Sequence, residues 1–195
     1  MNSIQQATEK LIEANLILNE LDLLNLWSVV GEPVLVGAAA YNLIFNRDID
    51  MEIYCDQPEV ASGFRVLESC VKNPKVIGAR YANHLDGEDQ GIYFQLRYKD
   101  ENDLIWKIDM WLLAHDHPGP CAKDLVEPLN RVLTDESRES ILTIKNQIAL
   151  NAESIASIRI YEAVIDYNIQ TYKEFMEWYS KYAPIGLTSW KPKAI

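Results

Sequence analysis

Cysteine, histidine and basic side chains are all scarce in this 195-residue chain. The three cysteines, Cys55, Cys70 and Cys121, form no Cys-x-x-Cys pair and share no ligand spacing with the three histidines, which argues against a disulfide framework and a zinc site and points to a reducing compartment. Eighteen Lys and Arg against 29 Asp and Glu give a formal net charge of -11, so a polyphosphate duplex would be repelled and double-stranded DNA is not expected as a partner. No apolar run reaches the roughly 20 residues of a membrane span. The opening stretch, MNSIQQATEKLIEANLILNELDLLNLW, has neither the basic start nor the apolar middle of a signal peptide, so a cytoplasmic location and no membrane partner are expected. Gly-x-Ser-x-Gly and Gly-Lys-Ser/Thr are both missing, which removes support for a nucleophile elbow and for P-loop chemistry.

The chain does have apolar side chains in regular patterns. At 48% hydrophobic residues it can bury a substantial core. Ile4, Ala7, Leu11, Ala14, Leu18, Leu21 and Leu24 recur three or four apart, the stripe of one amphipathic helix or two short ones lying on a sheet. Gly31, Glu32 and Pro33 read as a turn, VLVG as a short strand, and AAAYNLIF as a helix. A helix entered at Pro58 follows the next strand. Strands are then expected in KVIGARYAN, GIYFQLRYKD and DLIWKIDMWLL.

The segment AHDHPGPCAKDLVEP reads as a loop from its Pro and Gly content. Beyond it, one helix is expected over 134–150, capped by Thr134 or Asp135, and one long helix over 154–182, with an irregular tail. The pattern is that of an α+β fold: a mixed sheet flanked by helices over residues 1–120, and a helical region over 121–195.

The stretch that carries chemistry is RDIDMEIY. Ile49, Met51 and Ile53 point one way on a strand, and Asp48, Asp50, Glu52 and Tyr54 the other. Asp48 and Asp50 would then stand roughly 6 to 7 Å apart on one face, where like charges raise each other's pKa unless a cation lies between them. Mg²⁺ suits such oxygen donors and keeps positions open for water and phosphate. Asp109, on a later strand whose other face is apolar, can join the same face if the two strands are neighbours. Three carboxylates could hold two ions, as two-metal phosphoryl chemistry requires. Gly37, between strand and helix, lets a backbone approach phosphates closely.

These elements, VLVGAAAYNLIFNRDIDMEI and IWKIDMWLL, resemble the signature of the polymerase-β-like nucleotidyltransferase superfamily over about residues 30 to 113. The resemblance implies Mg²⁺-dependent transfer of a nucleoside monophosphate from a nucleoside triphosphate to an acceptor hydroxyl. Gly37 and Ala38 match the phosphate turn, Asp48 and Asp50 the metal ligands, and Asp109 the third acid, which binds metal or activates the acceptor. Ala38 departs from the pattern, which has Gly or Ser at that position; a serine there can hydrogen-bond a phosphate oxygen and an alanine cannot.

Arg97 and Lys107 have two readings. In the enzyme they contact phosphates or position the acids. In a degenerate fold that binds only a nucleotide or a protein partner, they neutralise the carboxylates in place of metal. The net charge favours a small-molecule or protein acceptor, and a homodimer is compatible with the aromatic-rich last helix. His84 is given no role, and His115 and His117 are read as solvent-loop residues.

Overall fold

The computed structural model describes residues 2–182 and 188–193. Its framework is a five-stranded mixed sheet in the order β1-β2-β5-β4-β3. The strands are β1 (Glu32–Val36), β2 (Asp48–Cys55), β3 (Val76–Asn83), β4 (Gly91–Lys99) and β5 (Ile105–Ala114). Only β2 and β5 run parallel, while β1–β2, β3–β4 and β4–β5 are antiparallel. Pro33 lies inside β1, contrary to the expected turn. An edge strand tolerates it because one side of its backbone needs no ladder partner.

Helices α1 (Ser3–Glu20), α2 (Leu23–Ser28) and α4 (Val60–Cys70) cover one face of the sheet, and α3 is a single turn at Gly37–Ala40. The apolar side of the alternating strands, including Ile49, Met51, Ile53, Phe94, Leu96, Ile108 and Met110, packs against Ile17, Leu18, Leu21, Leu23 and Trp27. Burial of a side chain of this size contributes about 1.5–3 kcal/mol, so this layer dominates the fold's stability.

The expected helix over AAAYNLIF stops after one turn, and residues 41–47 form no regular element. Asn42 takes the left-handed conformation (φ 53°). The carbonyls that a longer helix would have paired internally accept bonds from cations instead: Tyr41 from Arg138, Leu43 from Lys145 and Phe45 from Lys10. Tertiary hydrogen bonds have replaced the local ladder, which satisfies the same buried carbonyls.

A second core is built from α5 (Lys123–Val132), α6 (Asp135–Leu150), α7 (Ser157–Tyr167) and α8 (Tyr172–Tyr182), together with Ala7, Tyr41 and Leu43. In the segment that the Pro and Gly content marked as loop, residues 115–122 are irregular as expected and the α5 helix takes the last six residues, 123–128. Its first free backbone N–H groups, of Ala122 and Lys123, are bound by the Glu52 carboxylate at 2.8 Å each. Thr134 caps α6 through a reciprocal bond with Ser137. The long helix expected over 154–182 is broken between α7 and α8, where Asn168 adopts a left-handed backbone (φ 52°) that an α-helix cannot continue. Tyr161, Phe175 and Trp178 are core residues, as the aromatic density suggested.

Candidate nucleotide and metal site

The sheet's register gathers the acids. Asp50 on β2 stands directly beside Asp109 on β5, and Asp48 beside Lys107. All four side chains leave the sheet on the face opposite the helix-covered core, because their neighbours Ile49, Ile108 and Met110 alternate into that core. Gly37 approaches the same point from the end of β1. Its φ is +63°, and a Cβ there would fall 2.4 Å from Asp50 Oδ2, so only glycine lets the chain pass this close to the carboxylate.

The three carboxylates are not equivalent. Asp109 Oδ1 accepts bonds from the Tyr93 hydroxyl (2.6 Å) and the Gln95 amide (2.9 Å), and Lys107 Nζ lies 3.1 Å from Oδ2. The same ammonium is 3.6 Å from Asp48 Oδ1. Asp50 receives no hydrogen bond or ion pair among the described residues. Burial, then the charges of Asp109 and Asp48, push its carboxyl up to about 6, against the opposing pull of Lys107 and Lys145. Burial opposes the charge on Lys107 too, but the bond to Asp109 and the neighbouring carboxylates outweigh it and hold its ammonium above the ordinary lysine range.

Two of these carboxylates, Asp48 and Asp50, form part of the wall of a cleft of about 900 Å³ between the sheet and the helical layer. Gly37, Ala38, Asp48 and Asp50 line the sheet side, and Lys145 and Tyr161 face them from α6 and α7. Lys145 is only 7% exposed. Its ammonium donates to the Leu43 carbonyl (3.1 Å) and the Tyr161 hydroxyl (3.0 Å), which leaves one proton uncommitted. Burial lowers it to about 8, with Asp50 and Asp48 pulling the other way. The sequence reading missed Lys145. The available signal was a lysine between Ile144 and Ile148 on the apolar stripe of α6.

Of the residues singled out from sequence, Gly37, Ala38, Asp48 and Asp50 meet at the cleft, with Asp109 and Lys107 beside them. Arg97 shares the open face and the register position of Lys107 but is exposed and does not line the cleft. Glu52, next in the alternating row, is turned to capping α5 and accepting the Tyr54 hydroxyl. Among the described residues no three Asp, Glu, His or Cys side chains are placed to hold one ion together. The all-oxygen pair Asp48 and Asp50, one of them without a donor and crossed by the Gly37 backbone, fits a hard divalent cation such as Mg²⁺.

No protein-family model and no curated protein sequence matches the chain. Solved structures do. The chain is similar to the Cid1 poly(U) polymerase bound to MgATP (TM-score 0.62, 15% identity, 83% of this chain and 51% of that one). It is also similar to a cytoplasmic RNA terminal U-transferase (0.58, 12%, 80% and 46%). A third similar structure, Escherichia coli MS115-1 CdnC with ATP, aligns over 97% of this chain and 75% of that one (0.53, 12%). The chain thus spans about half the length of the first two. A Gly37 turn against Asp50, two adjacent parallel strands bearing the acids, and this shared architecture give the chain the polymerase-β-like nucleotidyltransferase fold.

Proposed function

We propose that the chain is a Mg²⁺-dependent nucleotidyltransferase, moving a nucleoside monophosphate from a nucleoside triphosphate to the hydroxyl of a small-molecule or protein acceptor. The reading is carried by one observation: Asp48, Asp50 and Gly37 form one wall of a cleft whose other wall presents the buried ammonium of Lys145. The similar structures named as bound to MgATP and MgGTP support Mg²⁺ and a triphosphate as its ligands. The ion, on Asp48 and Asp50, would neutralise phosphate charge and polarise the α-phosphate.

In this reading the Gly37–Ala38 backbone approaches the triphosphate, and Lys145 holds its distal charge with the proton left over from Leu43 and Tyr161. Asp109, oriented by Tyr93 and Gln95, receives the acceptor's proton. The acceptor oxygen bonds to the α-phosphorus, the bond to the bridging oxygen breaks, and pyrophosphate leaves. The helical region over 121–195 supplies the second wall of the cleft.

A second reading is favoured by Lys107, which bridges Asp48 and Asp109, and by Ala38, which offers no hydroxyl. It is a module that binds a nucleotide or a protein partner without transfer. Thermal shift with ATP, GTP, CTP and UTP, with and without Mg²⁺, tests the site. A Mg²⁺-dependent rise in Tm that Asp48→Asn/Asp50→Asn abolishes supports the metal-nucleotide site. No shift with any nucleotide above a millimolar overturns the enzyme reading. Radiolabel transfer from the bound nucleotide then separates enzyme from module.

A further inference from the structure

Lys107 has a consequence for the number of ions the site can take. Its ammonium lies within ion-pair distance of both Asp48 Oδ1 (3.6 Å) and Asp109 Oδ2 (3.1 Å), so it occupies the neighbourhood that an ion shared by those two acids would need. The arrangement is fixed from several sides. Lys107 and Asp109 lie two apart on β5 and so share a face. Asp109 is also held at its other oxygen by Tyr93 and Gln95, so its carboxylate already has three donors. Swinging it away from Lys107 would break two charge-assisted bonds.

Asp50 is the opposite case. It is mostly buried, flanked by two carboxylates, crossed by the Gly37 backbone and without a donor among the described residues. Lys107 therefore offsets one of the two charges at Asp48 and Asp109, while no ion pair among the described residues offsets that of Asp50.

We propose that Lys107 is a built-in cation that takes the place of one metal, so that the site holds a single divalent ion, seated on Asp50 and the free oxygen of Asp48. This rests on the metal-dependent reading above and specifies it. The fixed ammonium supplies positive charge beside Asp109 at no cost in ion capture, and the single exchangeable ion serves the triphosphate.

The test counts ions directly. Mn²⁺ alone is titrated into the full chain, and the free-ion signal is followed by electron paramagnetic resonance, with circular dichroism melts confirming that each variant is folded. Wild type is expected to bind one ion per chain and Lys107→Met two, because the vacated position is now flanked by two unneutralised acids. Lys107→Arg, which keeps the cation, is expected to bind one, and Asp50→Asn none. Two ions in wild type, or one in a folded Lys107→Met, overturns the proposal and leaves the metal-dependent reading standing. No ion in either protein overturns both.

Discussion

Asp50 and Asp109 face each other in register across the parallel β2–β5 pair, yet Tyr93, Gln95 and Lys107 serve Asp109 while no group among the described residues donates to Asp50. Two carboxylates one strand spacing apart have thus been given different electrostatic fates by their neighbours. The division of labour in the site follows from that asymmetry, as does its cost to the fold.

The cost is measurable. Asp50 has a folded-state pKa raised to about 6 from 3.8, so the folded chain holds its proton more tightly than the unfolded chain. Stability is then greatest below about pH 4 with respect to this group and declines as pH rises through about 6. Asp50→Asn is expected to raise unfolding free energy at pH 7 by on the order of 2 kcal/mol, and to have little such effect at pH 4. Urea denaturation of both proteins at the two pH values checks this, and equal effects at both would contradict it. Saturating Mg²⁺ should narrow the pH 7 difference, since the ion replaces the missing donor.

Gly37→Ala places a methyl against the Asp50 carboxylate and requires a left-handed backbone from a residue with a Cβ. The backbone penalty alone is about 1–2 kcal/mol, and the contact adds to it. The expected result is a lower Tm together with loss of the nucleotide-dependent shift. Retention of that shift at wild-type amplitude would remove Gly37 from the cradle.

Lys145 gives the nucleotide site an alkaline limit. Burial lowers its ammonium to about 8, so the free protein loses this charge as pH passes that value. Because the folded pKa lies below the unfolded one, the protonated lysine costs stability at and below pH 8, and the cost is relieved between about 8 and 10.5. ATP affinity measured by calorimetry should weaken above pH 8 in wild type, and the Lys145→Met variant should bind at least tenfold more weakly at pH 7 with that alkaline limb gone. An unchanged limb in the variant would assign it to another group.

Glu52 bears on stability and not on chemistry. Its carboxylate, 7% exposed, accepts the Tyr54 hydroxyl and both leading N–H groups of α5. Glu52→Gln removes the charge from three hydrogen bonds and should destabilise the chain by about 2 kcal/mol. Hydrogen exchange is expected to speed up first at the start of α5. Faster exchange spread evenly over the chain would show that the helix is not anchored there.

Much of this was legible from residue order alone. Period two over Arg47 to Tyr54 and over Ile105 to Ala114 placed Asp48, Asp50 and Asp109 on faces opposite the core, because a strand alternates its side chains whatever surrounds it. Helical spacing located α1, and the local start signals at Pro58 and Thr134 located α4 and α6. Tertiary structure decided everything that depends on partners distant in sequence. It ended the helix after Ala40, since Lys10, Arg138 and Lys145 supply the bonds its carbonyls need. It turned Glu52 from one more member of the acidic row into the anchor of α5. It brought Lys145 across from α6 to face carboxylates about a hundred positions earlier in the chain, and gave Lys107 to Asp48 and Asp109 rather than to Asp50. Local periodicity determines which face a side chain occupies, whereas burial and the pairing of charges depend on which strands and helices become neighbours.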